Sequence, residues 1–383
     1  MTRIKKRIVL HFPGFEPLDA QAHRARFERT ARQSAKVWDI GVDTGPLATR
    51  GAAAYFDITS TGADWQTSTR FHVFDHNMLV GKLTEKPLLR RLAAGFCSAL
   101  RVTLGGGLFG YFRHAWRFGL FFIFPFLLVG LAIAASLAIA AGPYWSGLPA
   151  WHLLWSVPFA AVFFLRIFLP LAARLHTLHL FADWELAVAM ARMDRPDFNL
   201  WLDACVDAAR DALKEDGDEY VITSHSMGSN IAAHVIGALL EQQPDILQGK
   251  RVVFATLGGA ILQCALLRPA SLLRSRVGTI ARAKEIFWFE VHCLTDSIHF
   301  YKSQVVALSG HADAPQARIT FIRVRQMLTS ERYRKIKWDF LRVHRQYVLG
   351  PDRRAPFDFT LMTVGPLAAA SFADFSYKTM PPL

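Results

Sequence analysis

The segment Tyr220–Gly237, YVITSHSMGSNIAAHVIG, decides the reading of this chain. Tyr220–Thr223 is a short β-prone run, and from Asn230 to Leu240 apolar residues recur at helical spacing. A strand therefore runs directly into a helix at Ser226. On such a turn a serine hydroxyl stands clear of the backbone, and the next amide lies at a helix N-terminus, where it can donate to an anion. The usual form of this pattern is G-x-S-x-G. Here Ser224, among the smallest replacements, takes the first glycine's place, while Gly228 lets the helix pack close to the strand. The plainer alternative is a helix cap, for which Ser224, Ser226 or Ser229 would each serve.

A serine at neutral pH needs a base to take its proton, a group to orient that base, and donors for an oxyanion. In FWFEVHCLTDSIHFY, Asp296 follows a strand-like run; in WDFLRVHRQYVLG, His344 lies beyond the last predicted strand. The order Ser226, Asp296, His344 is the order serine, acid, base. The first strand-like run ends in His11-Phe12-Pro13-Gly14-Phe15, where Gly14 permits a tight turn and the Phe15 amide is an oxyanion donor alongside that of Met227. His299 and His311 are reserve bases. Each piece also has a plainer reading: a strand-to-loop turn at Gly14, a turn-capping aspartate at Asp296, and a surface histidine within the basic run Arg332–Arg345.

These pieces together resemble the α/β-hydrolase-fold serine hydrolases of the lipase/esterase kind, and His225 and Met227 are residues that such lipases often carry beside the nucleophile. The resemblance covers the flanks of the chain but not its middle. It implies Ser226 as nucleophile, His344 as general base and then acid, and Asp296 as the group that orients the imidazole. Two departures stand out: Ser224 for glycine, and an insertion that precedes the nucleophile strand.

That insertion is a hydrophobic hairpin. Phe118–Gly142, FGLFFIFPFLLVGLAIAASLAIAAG, carries no charge, and as a helix of ~38 Å it exceeds the ~30 Å hydrocarbon core of a bilayer. A second run, Trp151–Ala173, is broken by Arg166 and two prolines. Tyr144, Trp145, Trp151 and Trp155 mark the turn, while Arg113, Arg117, Arg174 and His176 flank the outer ends, which puts both ends on the cytoplasmic side by the positive-inside rule. Arg166 reads as a snorkelling side chain or a lipid-phosphate ligand. Upstream, Lys86–Leu104 has the spacing of an amphipathic helix lying in the membrane plane, or equally of a surface helix packed on the soluble part. Arg268–Lys284 and Arg323–Arg345 are basic segments that face either anionic lipid or water.

The flanks alternate strand and helix patterns, which predicts an α/β fold with a mostly parallel sheet covered by helices on both faces. Residues 1–85 and 177–383 are read as two parts of one domain and 86–176 as the membrane insertion. Strands are expected near Arg7–Leu10, Lys36–Val42, Ala54–Ser60, Phe71–Phe74, Arg251–Thr256, Ile286–Cys293 and Arg318–Val324, and one long helical region from Trp184 to Lys214. The 383 residues carry 44 Lys+Arg against 31 Asp+Glu, a net +13 that favours anionic partners. With 52% hydrophobic residues and a mean hydropathy of +0.20, membrane lipid is the expected partner and nucleic acid is not. The four cysteines show no metal or C-x-x-C spacing and are expected as thiols, and the basic start does not form a secretory signal. No metal or cofactor is implied. The expected activity is hydrolysis of a lipidic or acyl ester or thioester; a non-catalytic, hydrolase-like scaffold or lipid-binding protein is the competing expectation.

Overall fold

In the computed structural model, which describes residues 3–383, nine strands form one mixed sheet. They are β1 (Lys6–Phe12), β2 (Gly41–Thr44), β3 (Ala48–Arg50), β4 (Ala53–Thr61), β5 (Gln66–Val73), β6 (Glu219–His225), β7 (Val252–Leu257), β8 (Ile286–Cys293) and β9 (Arg318–Ile322). The order across the sheet is β2-β4-β5-β1-β6-β7-β8-β9, with β3 on β4. From β5 to β9 every pairing is parallel, whereas β2, β3 and β5 pair antiparallel with β4. The sheet is therefore mostly parallel, with an antiparallel edge.

Alternation along the strands explains why both faces are covered. Ile8, Leu10 and Phe12 join one core and Val9 the other; Tyr220 and Ile222 oppose Val221, and Val252 and Phe254 oppose Val253 and Ala255. Strand side chains alternate faces, so a strand apolar at every position must be buried on both. The helices Pro196–Lys214 and Gly228–Gln242 cover the first face; Ala20–Trp38 and Phe359–Val364 cover the second. β1 lies at the centre, with β5 on one side and β6 on the other, so the chain reverses its direction of growth there. Crevices at such switch points, beyond the C-terminal ends of the strands, are where ligands bind in open α/β sheets.

Two local expectations need correction. The predicted strand Lys36–Val42 begins in the last three residues of the helix Ala20–Trp38, which Asp39 stops in a left-handed conformation at φ 56° before β2 begins at Gly41. The long helical region from Trp184 to Lys214 is two helices, Thr177–Arg192 and Pro196–Lys214: Met193 turns left-handed at φ 53°, and Pro196 starts the second, where its missing N–H costs nothing.

The hairpin consists of the helices Gly107–Trp145 and Ala150–Arg174, both long and apolar enough to cross a membrane. Only 28% and 22% of their most apolar windows are buried, unlike core helices. The first begins earlier than the uncharged run. Its opening turns are part of the α/β body: Tyr111 donates from its hydroxyl to Gln263 O at 2.5 Å, and a Cβ at Gly110 would lie 3.3 Å from Leu266. At Ala115 the backbone leaves helical geometry, and near this kink Ser303 Oγ donates to His114 O and Arg117 donates to Leu294 O. The second helix loosens to a π turn over Phe163–Phe168, where Arg166 is exposed. The preceding helix, Leu88–Leu104, packs its small face on Thr177–Arg192, where a Cβ at Gly95 would meet Phe181 at 2.0 Å. Its Leu89, Leu100 and Leu104 remain exposed, which leaves the helix an unpaired apolar edge.

A buried ion pair joins the sheet's centre to the C-terminal segment. Arg7 on β1 donates to Glu219 Oε2 on β6 at 2.9 Å and to the carbonyls of Gly365 and Leu367, while Glu219 accepts the Ala369 amide. Both side chains are fully buried. Truncating one partner leaves a bare buried charge, so Arg7→Ala is expected to lower stability by about 3–5 kcal/mol, and Arg7→Met with Glu219→Met by less. Urea unfolding in detergent micelles, followed by tryptophan fluorescence, checks both.

Candidate active site

The residues singled out in the sequence gather at the C-terminal ends of the parallel strands. Ser226 follows β6 and precedes the helix Gly228–Gln242, with φ 52°. A left-handed serine is strained, and its surroundings hold it. Its N–H donates to Leu257 O at 3.2 Å, and its carbonyl accepts the amides of Ser229 at 3.0 Å and Ala260 at 3.1 Å. Ser224 fits in place of glycine because it stays in register with Phe12 and Thr256 and turns its hydroxyl to Ser229 Oγ at 3.2 Å. The position that demands glycine is Gly228, where a Cβ would lie 2.2 Å from Phe12 O and 2.3 Å from Pro13 O.

His344 ends the short helix Phe340–His344 after β9, and Asp296 lies in the loop after β8. His344 Nδ1 is 2.7 Å from Asp296 Oδ2. A carboxylate only accepts, so Nδ1 carries the proton and Nε2 presents its lone pair. Nε2 is buried without a partner, and it shares a pocket with Ser226. No hydrogen bond joins the two, a common state of catalytic pairs without substrate. Asp296 is held from several sides. Tyr347 donates to Oδ2 at 3.0 Å, the Ile298 amide donates to Oδ1 at 2.9 Å, and His299 Nδ1 lies 3.2 Å from Oδ2 but outside hydrogen-bond alignment. Burial alone would raise this carboxyl; the facing His344 and His299 imidazoles outweigh it and hold it well below the usual carboxylate range.

Phe15 lines the same pocket, and Met227 is buried immediately after Ser226. Among the described residues, neither amide is taken up by an acceptor in the chain. A Cβ at Gly14 would lie 3.2 Å from Ser226 Cβ, so the loop after β1 runs against the serine. All five sequence-derived residues thus meet here. The reserve histidines do not compete: His299 Nε2 accepts the Cys293 amide, and His311 is bonded to Arg274 O. The four cysteines are unpaired, and among the described residues no three His, Cys, Asp or Glu side chains group as a metal site.

The contacts of His225, and the contributions of Glu16, Phe121 and Tyr347, escape sequence reading. His225 Nε2 donates to His344 O at 3.1 Å; burial and the neighbouring His344 bring its pKa down to about 3, so it stays neutral. Glu16, next to Phe15, pairs with Arg26 and, at 2.7 Å, with Arg345. Phe121, from the first hairpin helix, lines the pocket together with Leu180 and Leu341. The enclosed volume is about 40 Å³, room for a few atoms only. The sequence signal that could have revealed Tyr347 is its position three residues after His344.

The chain matches no protein-family model, no curated protein and no solved structure. Its chemistry therefore rests on this geometry.

Asp183 also faces the pocket, bonded to Gln263 Nε2 at 3.1 Å. Burial pushes its pKa up to about 7, against the pull of the Gln263 bond and His344. The folded state then holds a proton that the unfolded chain has released, so this group's effect on stability becomes unfavourable as pH rises from about 3.8 to about 7. Buried histidines such as His225 act in the opposite direction over the same range, so the Asp183 contribution is isolated by comparison: Asp183→Asn is expected to gain stability relative to wild type as pH rises from about 3.8 to about 7, by up to about 4 kcal/mol, read from thermal unfolding of both proteins in micelles.

Proposed function

We propose that the protein is a membrane-anchored serine hydrolase of α/β-hydrolase type, cleaving an ester or thioester of a lipidic substrate. The observation that carries this reading is the His344 imidazole, oriented by Asp296 with an unpartnered Nε2, in one pocket with a serine on a left-handed strand-to-helix turn. The order serine, acid, base, with Ser226 and Asp296 directly after β6 and β8 and His344 on a short helix downstream of β9, supports the fold assignment.

In this mechanism His344 Nε2 takes the Ser226 proton as Oγ attacks the carbonyl carbon. Asp296 stabilises the imidazolium that forms, and the Phe15 and Met227 amides donate to the oxyanion. The tetrahedral intermediate collapses to an acyl-serine as the leaving alcohol or thiol takes the proton from His344. Water, deprotonated by the same Nε2, then releases the acid and restores Ser226. No metal or cofactor is required.

Phe121 supports the lipidic substrate. It lines the pocket from the same helix that carries the exposed Leu127 and Leu131, and in this reading the acyl chain lies on the hairpin side of the serine. Basic residues at the outer ends of the hairpin favour a cytoplasmic domain. The missing Ser226–His344 hydrogen bond is the one observation favouring a non-catalytic lipid-binding scaffold.

Labelling of membranes with a fluorophosphonate serine probe decides between them. Wild type should label, Ser226→Ala not at all, and His344→Ala at a rate lower by about 10³-fold or more, with Asp296→Asn less impaired than His344→Ala. Unlabelled wild type, beside a labelled control hydrolase, would select the scaffold.

A further inference from the structure

Next to the Ser226 pocket lies a second, larger cleft, of about 540 Å³, between the helix Ala20–Trp38 and the segment Arg332–Gly350. That volume is in the range of clefts that hold whole ligands. The two cavities share Glu16 and Arg345.

Four arginines line the cleft: Arg26, Arg29, Arg332 and Arg345. Three are already held in place. Glu16 pairs with both Arg26 and Arg345, and Asp352 pairs with Arg332 at 2.7 Å. Arg29 is exposed and, among the described residues, has no carboxylate partner, since the adjacent Glu28 pairs with Arg24 and Arg32. It lies three residues after Arg26 and so shares its side of the helix. The two carboxylates leave the cleft with excess positive charge. Tethered guanidinium groups have already lost much of their rotamer freedom, and their planar donor sets match phosphate oxygens in bidentate geometry.

The two cavities also give the substrate a direction. The catalytic pocket is too small for more than the reacting group, so the rest of the molecule extends beyond it. Phe121, Leu180 and Leu341 form an apolar wall of the pocket, Phe121 coming from the hairpin helix, and Glu16 and Arg345 form a charged wall shared with the arginine-lined cleft. We propose that the arginine-lined cleft binds a phosphate or diphosphate group of the substrate while the acyl chain lies toward the hairpin. The orientation rests on the serine-hydrolase reading; the anion site itself does not. The same phosphate chemistry is offered by a phospholipid headgroup and by a soluble acyl thioester of coenzyme A.

Calorimetric titration of the full-length protein in maltoside micelles with inorganic pyrophosphate tests the site independently of catalysis. Saturable binding is expected in wild type and Ser226→Ala alike, and an affinity at least about tenfold weaker in Arg29→Glu, a change at an exposed, unpaired residue that should leave the unfolding midpoint in place. Displacement of pyrophosphate by dihexanoyl phosphatidate alone assigns the site to a lipid headgroup, and displacement by coenzyme A alone to a soluble thioester. No binding in wild type, unchanged binding in Arg29→Glu, or pyrophosphate displaced by neither competitor would overturn the proposal. Pyrophosphate binding in a protein that the fluorophosphonate probe does not label would instead sink the hydrolase reading and leave the anion site standing.

Discussion

The closeness of the loop after β1 to the turn after β6 is the constraint on which the site depends. Gly228 places the helix Gly228–Gln242 so near Phe12 and Pro13 that one methyl group would drive the two backbones apart, and Gly14 brings the loop against His225 and Ser226. The parallel β1–β6 register sets this approach, because Phe12 pairs with Ser224 at the last step of the ladder. Both chains leave the sheet at the same level. The loop carrying Phe15 and the turn carrying Met227 are therefore brought together by the sheet register.

A second constraint fixes the hairpin to this frame. Phe118, Phe122 and Phe126 do not stop at the surface of the α/β body: Phe118 packs on Phe300 at 4.4 Å between ring centroids, Phe122 on Trp184 at 4.6 Å, and Phe126 on Phe181 at 4.7 Å. These rings belong to the same hydrophobic core as Ile8 and Leu10 of β1. Aromatic side chains bury large areas, and their edge-to-face contacts add to that burial. The first hairpin helix is thus part of the α/β body as far as Phe126, beyond the kink at Ala115. Phe121 reaches the Ser226 pocket because its neighbours on the helix are locked in this way.

Much of this was legible in the sequence, and the reason differs by feature. The central parallel strands could be read because each holds a short β-prone apolar run, such as Ile8–Leu10 and Val252–Phe254, and the strand-to-helix turn because a β-prone run meets a helical period at one serine. Asp296 and His344 were found by the requirement for an acid and a base beyond the strand ends. The end of the helix Ala20–Trp38 was misread because Lys36, Val37 and Trp38 suit either structure, and what stops the helix is the left-handed Asp39 backbone, which no side-chain pattern marks. Phe121 lay hidden in a run where every residue is apolar, so its contact with the serine pocket had no local signature. Long-range partners such as Glu16 and Arg345 are 329 positions apart, and only the folded sheet brings them together.

That last pair ties the site across its width. Glu16 follows Phe15, and Arg345 follows His344, so the 2.7 Å ion pair spans from the loop after β1 to the segment carrying the imidazole. Burial would push the Glu16 carboxyl up, yet Arg26 and Arg345 bring it down to about 2, so the charge persists at any ordinary pH. An exposed pair would contribute little to holding these segments together, because solvent screens it and side-chain entropy opposes it. Here the Glu16 side chain is only 8% exposed and two guanidinium groups face it, so losing either contact leaves a poorly solvated charge. The separation of the His344 imidazole from the loop after β1 is thereby governed by an electrostatic link that the sheet alone does not supply.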